Sequence, residues 1–110
     1  MSEIVVVATL KARQGQEDAA REALLQLVEA THSDAGCILY SLHQGKQDAT
    51  RLTFVERWAS QEDLDAHMAS DHIAAVLARA DELLAEAPDI VVFDALVAGD
   101  PQKGALAEAV

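Results

Sequence analysis

Two stretches of this chain are apolar at every position of a strand-like run, and any fold must hide both faces of each. Ile4-Val5-Val6-Val7-Ala8 and Ile90-Val91-Val92-Phe93 are rich in β-branched residues, which favour extended backbone because a branched side chain packs well on a pleated surface. Alternate side chains of a strand point to opposite faces, so each stretch presents apolar groups in both directions. A layer of helices covers one face. The other needs a second cover, or it stays as the kind of exposed patch that monomeric proteins avoid.

The remaining pattern supplies the helices and two more strands. The first strand reads from Glu3 to Ala12 and closes in a turn near Gly15. From Gln16 to Thr31, Ala20, Ala23, Leu24, Leu27 and Val28 recur at three- and four-residue steps, with Glu17 and Asp18 where acids suit the positive end of the helix dipole. Gly36 restarts an extended run, Cys37 to Gln44, and a second run follows the turn-prone segment Gly45 to Thr50, from Arg51 to Ala59. Together they predict an antiparallel hairpin. Ser60 and Asp63 resemble a capping box that opens a short helix through about Ala69. Ser70 and Asp71 cap the next one, which places Ile73, Val76, Leu77, Ala80, Leu83 and Leu84 on one face and stops before Pro88. The last strand reads from Ile90 to Val97. The segment from Gly99 onward, with Pro101 and Gly104, has no clear period.

This order predicts an α+β chain of ferredoxin-like βαββαβ topology with an antiparallel sheet. One domain spans residues 1–98 and a C-terminal tail spans 99–110. Two helices of about 10 Å diameter cover one face of a four-stranded sheet roughly 19 Å wide, but only one. The apolar second face therefore predicts a homodimer packed sheet against sheet, with an internal pocket on the helix side of each subunit.

Charge narrows the class of partner. With 19 acidic and 8 basic residues the formal net charge is −11, which repels nucleic acid and anionic membrane surfaces. No apolar run approaches the roughly 20 residues that span a bilayer. The single cysteine, Cys37, cannot form an internal disulfide, and the start of the chain lacks a leader pattern. These features fit a soluble cytoplasmic protein.

The reactive side chains gather between Glu56 and His72. Strand alternation puts Leu52, Phe54, Glu56 and Trp58 on one face and Thr53, Val55 and Arg57 on the other. Glu56 and Trp58 are then neighbours, and a carboxylate among aromatic rings has a raised pKa suited to acid, base or orienting work. The same placement equally suits a core tryptophan with a carboxylate that pairs with an arginine or caps a helix. His67, beside Met68, faces inward from the short helix. His72 opens the next helix, where the dipole keeps a ring neutral and able to accept a proton. Either ring alone also fits a purely structural hydrogen bond.

The four residues between His67 and His72 straddle a helix break, so the pair lacks the one-face spacing of helical zinc motifs, whether joined by Asp71 or Glu56, and no metal is expected. His32 and His43 read as solvated. Cys37 has no basic neighbour and reads as an inert thiol. Tyr40 is either a pocket hydroxyl or a packing residue. Neither a phosphate-binding glycine loop nor a nucleophile elbow is present.

Gly36-Cys37 followed by Tyr40, Glu56-Arg57-Trp58-Ala59-Ser60, Leu64-Asp65-Ala66-His67 and Ser70-Asp71-His72 together resemble the antibiotic biosynthesis monooxygenase family, and within it the small quinol-monooxygenase-like proteins. The resemblance runs from about Val5 to Leu96. It implies a dimeric ferredoxin-like α/β barrel and oxidation of a small phenolic, quinol or anthrone-type aromatic substrate by dioxygen, with no cofactor. On that reading His67, His72, Glu56 and Trp58 are the catalytic set, and Phe54, Tyr40, Met68 and Ile73 contact substrate. The chain departs from two branches of the family. Polyketide-tailoring members place an asparagine beside their tryptophan, and this chain has none. Heme-degrading members need an asparagine and an iron-binding histidine where Ala8 and Leu77 stand here. Two other readings stay open: proton-transfer isomerisation of a small carbonyl compound, and a non-catalytic, stress-associated ligand-binding dimer.

Overall fold

A computed structural model describes residues 3–106. The elements run β1 (Ile4–Lys11), α1 (Glu17–Thr31), β2 (Cys37–Gln44), β3 (Arg51–Trp58), α2 (Gln61–Met68), α3 (Asp71–Leu77), α4 (Ala80–Leu83) and β4 (Asp89–Asp94). The four strands form one antiparallel sheet in the order β2-β3-β1-β4. This is the ferredoxin-like arrangement, with the helices against one face.

Register determines which side chains meet on the covered face. Glu56 of β3 sits opposite Val6 on one side and Tyr40 on the other, while Phe54 sits between Ala8 and Leu42. Ile4, Val6, Ala8 and Leu10 all face the helices and are buried, as are Leu52, Phe54, Glu56 and Trp58. Helix α1 contributes Ala20, Ala23, Leu24 and Leu27 to this core, the positions given by its three- and four-residue spacing. On the opposite face Val5, Val7 and Val55 are only half-buried, and Val91 and Phe93 are exposed. Arg57 is buried on that face by donating from Nε and Nη2 to Glu3.

Two expected boundaries shift. The last strand stops at Asp94 rather than Val97, because its partner β1 begins at Ile4, opposite Asp94; residues 95–106 contain turns and no helix or strand. The single helix expected after Ser70 is two. Its apolar period continues past Leu77, but the backbone at Leu84 is extended and bridges Ala12 beyond the end of β1. The Arg13 amide donates to the Leu83 carbonyl and the Ala85 amide to the Lys11 carbonyl, each at 2.8 Å. Strand-like pairing ends α4 at Leu83. The expected tail from Gly99 is described as far as residue 106, and the rest of it lies outside the described residues. Among the described residues no helix is long and apolar enough to cross a membrane.

The chain between α1 and β2 positions a residue that matters below. Gly36 has φ +77°, a left-handed conformation that glycine adopts without steric cost. Its carbonyl accepts from the Ala59 amide, which ties the loop to the end of β3.

Candidate functional site

A cavity of about 60 Å³ lies between the sheet and the helices. Its floor is the covered face of the sheet, with Val6, Ala8, Tyr40, Phe54 and Glu56. Its roof comes from α1, α2 and α3, and Met68, Leu77 and Ile90 line its more exposed side. Glu56, His67 and Tyr40 are the residues with polar groups in a lining that is otherwise apolar. Tyr40 packs on Phe54 with ring centroids 4.8 Å apart, and on His67 at 5.2 Å.

His67 is held from behind. Its Nδ1 lies 2.9 Å from Asp34 Oδ2, and its side chain is 1% exposed. Asp34 is held through its own backbone: its amide donates to the Thr31 carbonyl and its carbonyl accepts from the Cys37 amide. His72 Nε2 reaches the same Oδ2, also at 2.9 Å. The two imidazoles converge because Ser70 ends one helix and starts the next. Its hydroxyl donates to the His67 carbonyl at 2.6 Å and accepts from the Ile73 amide at 3.3 Å. The helix break that seemed to separate the histidines instead turns both toward one carboxylate oxygen.

The electrostatics assign roles. Burial raises the Asp34 pKa, but hydrogen bonds from His67 and His72 outweigh it and hold the carboxyl below its ordinary value. Burial pulls the His67 pKa below its ordinary value, with Asp34 opposing, so the ring is neutral at pH 7. With Nδ1 facing an ionised carboxylate, the proton resides on Nδ1 and leaves Nε2 as the basic nitrogen. Burial pushes Glu56 up to about 7, against a partly compensating hydrogen bond from Trp58. That bond runs from Trp58 Nε1 to Glu56 Oε1 at 2.9 Å. Burial also raises Tyr40, so its hydroxyl stays protonated, and pushes Cys37 up to about 11, which keeps the thiol unreactive.

Six of the eight residues expected at the site line the cavity: Tyr40, Phe54, Glu56, His67, Met68 and Ile73. Two do not. Trp58 is fully buried behind the wall, where it cannot stack on a substrate; it holds Glu56 and packs on His67 with ring centroids 4.7 Å apart. His72 lines a separate recess between α1 and α3, and reaches His67 only through Asp34. The hydrogen bond that holds the Glu56 carboxylate is the one from the buried indole N–H of Trp58 to Oε1. Asp34 was not expected at the site. It sits in a loop, 33 residues from His67 and 38 from His72, and the one local hint is its position between a helix end and Gly36. His32 is exposed with Nε2 3.0 Å from the Tyr40 carbonyl oxygen, and His43 is exposed beside Ser41.

Residues 3–79 match the sequence pattern of the antibiotic biosynthesis monooxygenase family. The chain belongs to that family. The structure is similar to that of PA3566 from Pseudomonas aeruginosa, with a TM-score of 0.83 and 26% identity over 88% of this chain and 97% of that one. It is also similar to SO0527 from Shewanella oneidensis, with a TM-score of 0.78 and 31% identity over 84% and 89% of the two chains. The Synechocystis protein sll1783 is 23% identical over 82% of this chain, and the match spans 61% of that relative's length. All of the cavity wall of this family member falls inside the matched residues except Pro88 and Ile90. The Asp34, His67 and His72 cluster falls inside them too.

Glu56 gives the site a pH signature in stability. Unfolded, its carboxyl loses its proton near 4.5; folded, it does so at about 7. Between these values the folded chain holds a proton that the unfolded chain has lost, so stability falls as pH rises through that window and is flat above it. The loss is at most about 3 kcal/mol. Because the lowered His67 pKa contributes the opposite slope below its ordinary value, the Glu56 part is read by urea unfolding as the stability of the wild type minus that of Glu56→Gln, and this difference should fall as pH rises from 5 to 7. A difference that stays flat across that range would contradict the assignment.

Proposed function

We propose that this protein is a cofactor-independent monooxygenase that oxidises a small, single-ring phenol or hydroquinone with dioxygen. What carries this reading is a neutral imidazole, His67, backed by Asp34 and lining a mostly apolar cavity that also holds Tyr40, Phe54 and a carboxyl poised near neutrality. His67 takes the hydroxyl proton of the substrate, and the phenolate is a far stronger one-electron donor than the phenol. One electron passes to dioxygen, and the resulting radical and superoxide combine on the ring carbon. Loss of water from the hydroperoxide leaves the oxygenated quinone. A hydroquinone and one dioxygen thus yield a hydroxyquinone and one water. Glu56, when protonated, donates to the developing oxyanion, and Trp58 positions both Glu56 and His67.

Size selects the substrate class. A cavity of about 150 Å³ accommodates benzene, whereas this one is about 60 Å³. A single ring enters only by displacing flexible groups at the exposed side, where Met68 is 40% and Leu77 52% exposed. A three-ring anthrone requires far more opening. The same small volume supports a second reading, isomerisation of a small carbonyl compound with His67 and Glu56 as the proton carriers.

Oxygen uptake above the autoxidation rate is expected with monocyclic hydroquinones, lowered at least about 100-fold by His67→Ala. Uptake at the protein-free rate would sink the oxygenase reading, and turnover of a carbonyl substrate under nitrogen would favour the isomerase. We also propose that the half-buried valines with Val91 and Phe93 on the open face pack against a second copy. Sedimentation at micromolar concentration should give the mass of two 11.7 kDa chains; a single-chain mass would contradict the dimer.

A further inference from the structure

We propose that Asp34, His67 and His72 form a binding site for one divalent transition-metal ion of the zinc class. Their donor atoms lie within 4.8 Å of one another. They arrive from three different elements, the loop after α1, the last turn of α2 and the start of α3, so no sequence spacing announces them. Both ring nitrogens point at the same oxygen, Asp34 Oδ2, from 2.9 Å each. At metal–nitrogen bonds of about 2.1 Å, two imidazoles on one ion carry their ring centroids roughly 5–6 Å apart. Here the separation is 5.8 Å. The ring centroids are already at that spacing; to admit an ion the Asp34 oxygen between the two nitrogens draws back and the donors, now within 4.8 Å, close to roughly 3.4 Å.

Two imidazoles and one carboxylate favour zinc, cobalt, nickel or ferrous iron over magnesium or calcium, which prefer oxygen donors. The backbone carrying the ligands is fixed from outside the set, that of His67 by the Ser70 hydroxyl on its carbonyl and that of Asp34 by its bonds to Thr31 and Cys37. Access comes from the His72 side, where the His72 side chain is 24% and that of Asp34 18% exposed. Water can complete the coordination there.

The ion takes the place of the two N–H donors, so each ring moves its proton to its other nitrogen. His67 would then carry hydrogen on Nε2 and could not accept a proton from a molecule in the cavity. The loaded and metal-free chains are thus alternative states of one cluster, and the cation is an inhibitor of any base chemistry at His67.

The test is a titration of untagged, chelator-treated protein with Co²⁺, read by visible absorption, followed by displacement with Zn²⁺. One ion per chain is expected. His72→Ala should weaken binding by about 100-fold, since loss even of an outer-shell partner costs 10–100-fold. The exposed His43→Ala should leave binding unchanged. His72 is partly exposed, so its variant should fold; a matching circular dichroism spectrum verifies this, and His72→Gln serves as a second variant. Absence of saturable binding, or equal affinity in both His72 variants and the wild type, would overturn the proposal. Because binding is read directly, failure here is separate from failure of the oxygenase reading, which is judged by oxygen uptake in metal-free protein.

Discussion

The buried indole of Trp58 ties this site together. A tryptophan with no exposed surface must find an acceptor for its N–H, because an unmet buried donor costs about 1–3 kcal/mol. The acceptor here is Glu56 Oε1, two residues back on the same strand and therefore on the same face. That one requirement holds a carboxyl inside an apolar cavity, where burial brings its pKa close to neutral. The indole also packs on the His67 ring and, edge-on, against Tyr40. A residue with no access to the cavity thus sets the position of two that have it.

Asp34 plays the matching part on the far side of His67. A buried imidazole by itself can hold its proton on either nitrogen, and only one tautomer presents a base to the cavity. An ionised carboxylate at Nδ1 selects that tautomer. Burial at the same time keeps the ring neutral. The cluster resolves two opposed tendencies, desolvation and ion pairing, in favour of a neutral ring beside a charged acid. This balance also makes the three side chains attractive to a cation that can replace the shared hydrogens.

Much of the fold was legible from local pattern. The three- and four-residue spacing of α1, the alternation along β3 and the caps at Ser60 and Ser70 all correspond to elements of the structure. What pattern could not show was competition between distant segments. Apolar spacing continued a helix through Leu84, where pairing with Ala12 prevailed. The apolar run through Val97 outlasted its partner strand. At the site, alternation brought Glu56 and Trp58 together correctly, yet the burial of Trp58 and the outward place of His72 depended on packing across the sheet. Asp34 was hidden for a plainer reason. It is one of 19 acids in the chain, and only tertiary contact distinguishes it.

The tautomer of His67 is the most direct test. In metal-free protein at pH 7.5, long-range proton–nitrogen NMR correlations of the His67 ring should show hydrogen on Nδ1 and an unprotonated Nε2. Asp34→Asn should disturb that pattern. A ring protonated on Nε2, or on both nitrogens, would contradict the assignment of His67 as a base oriented by Asp34.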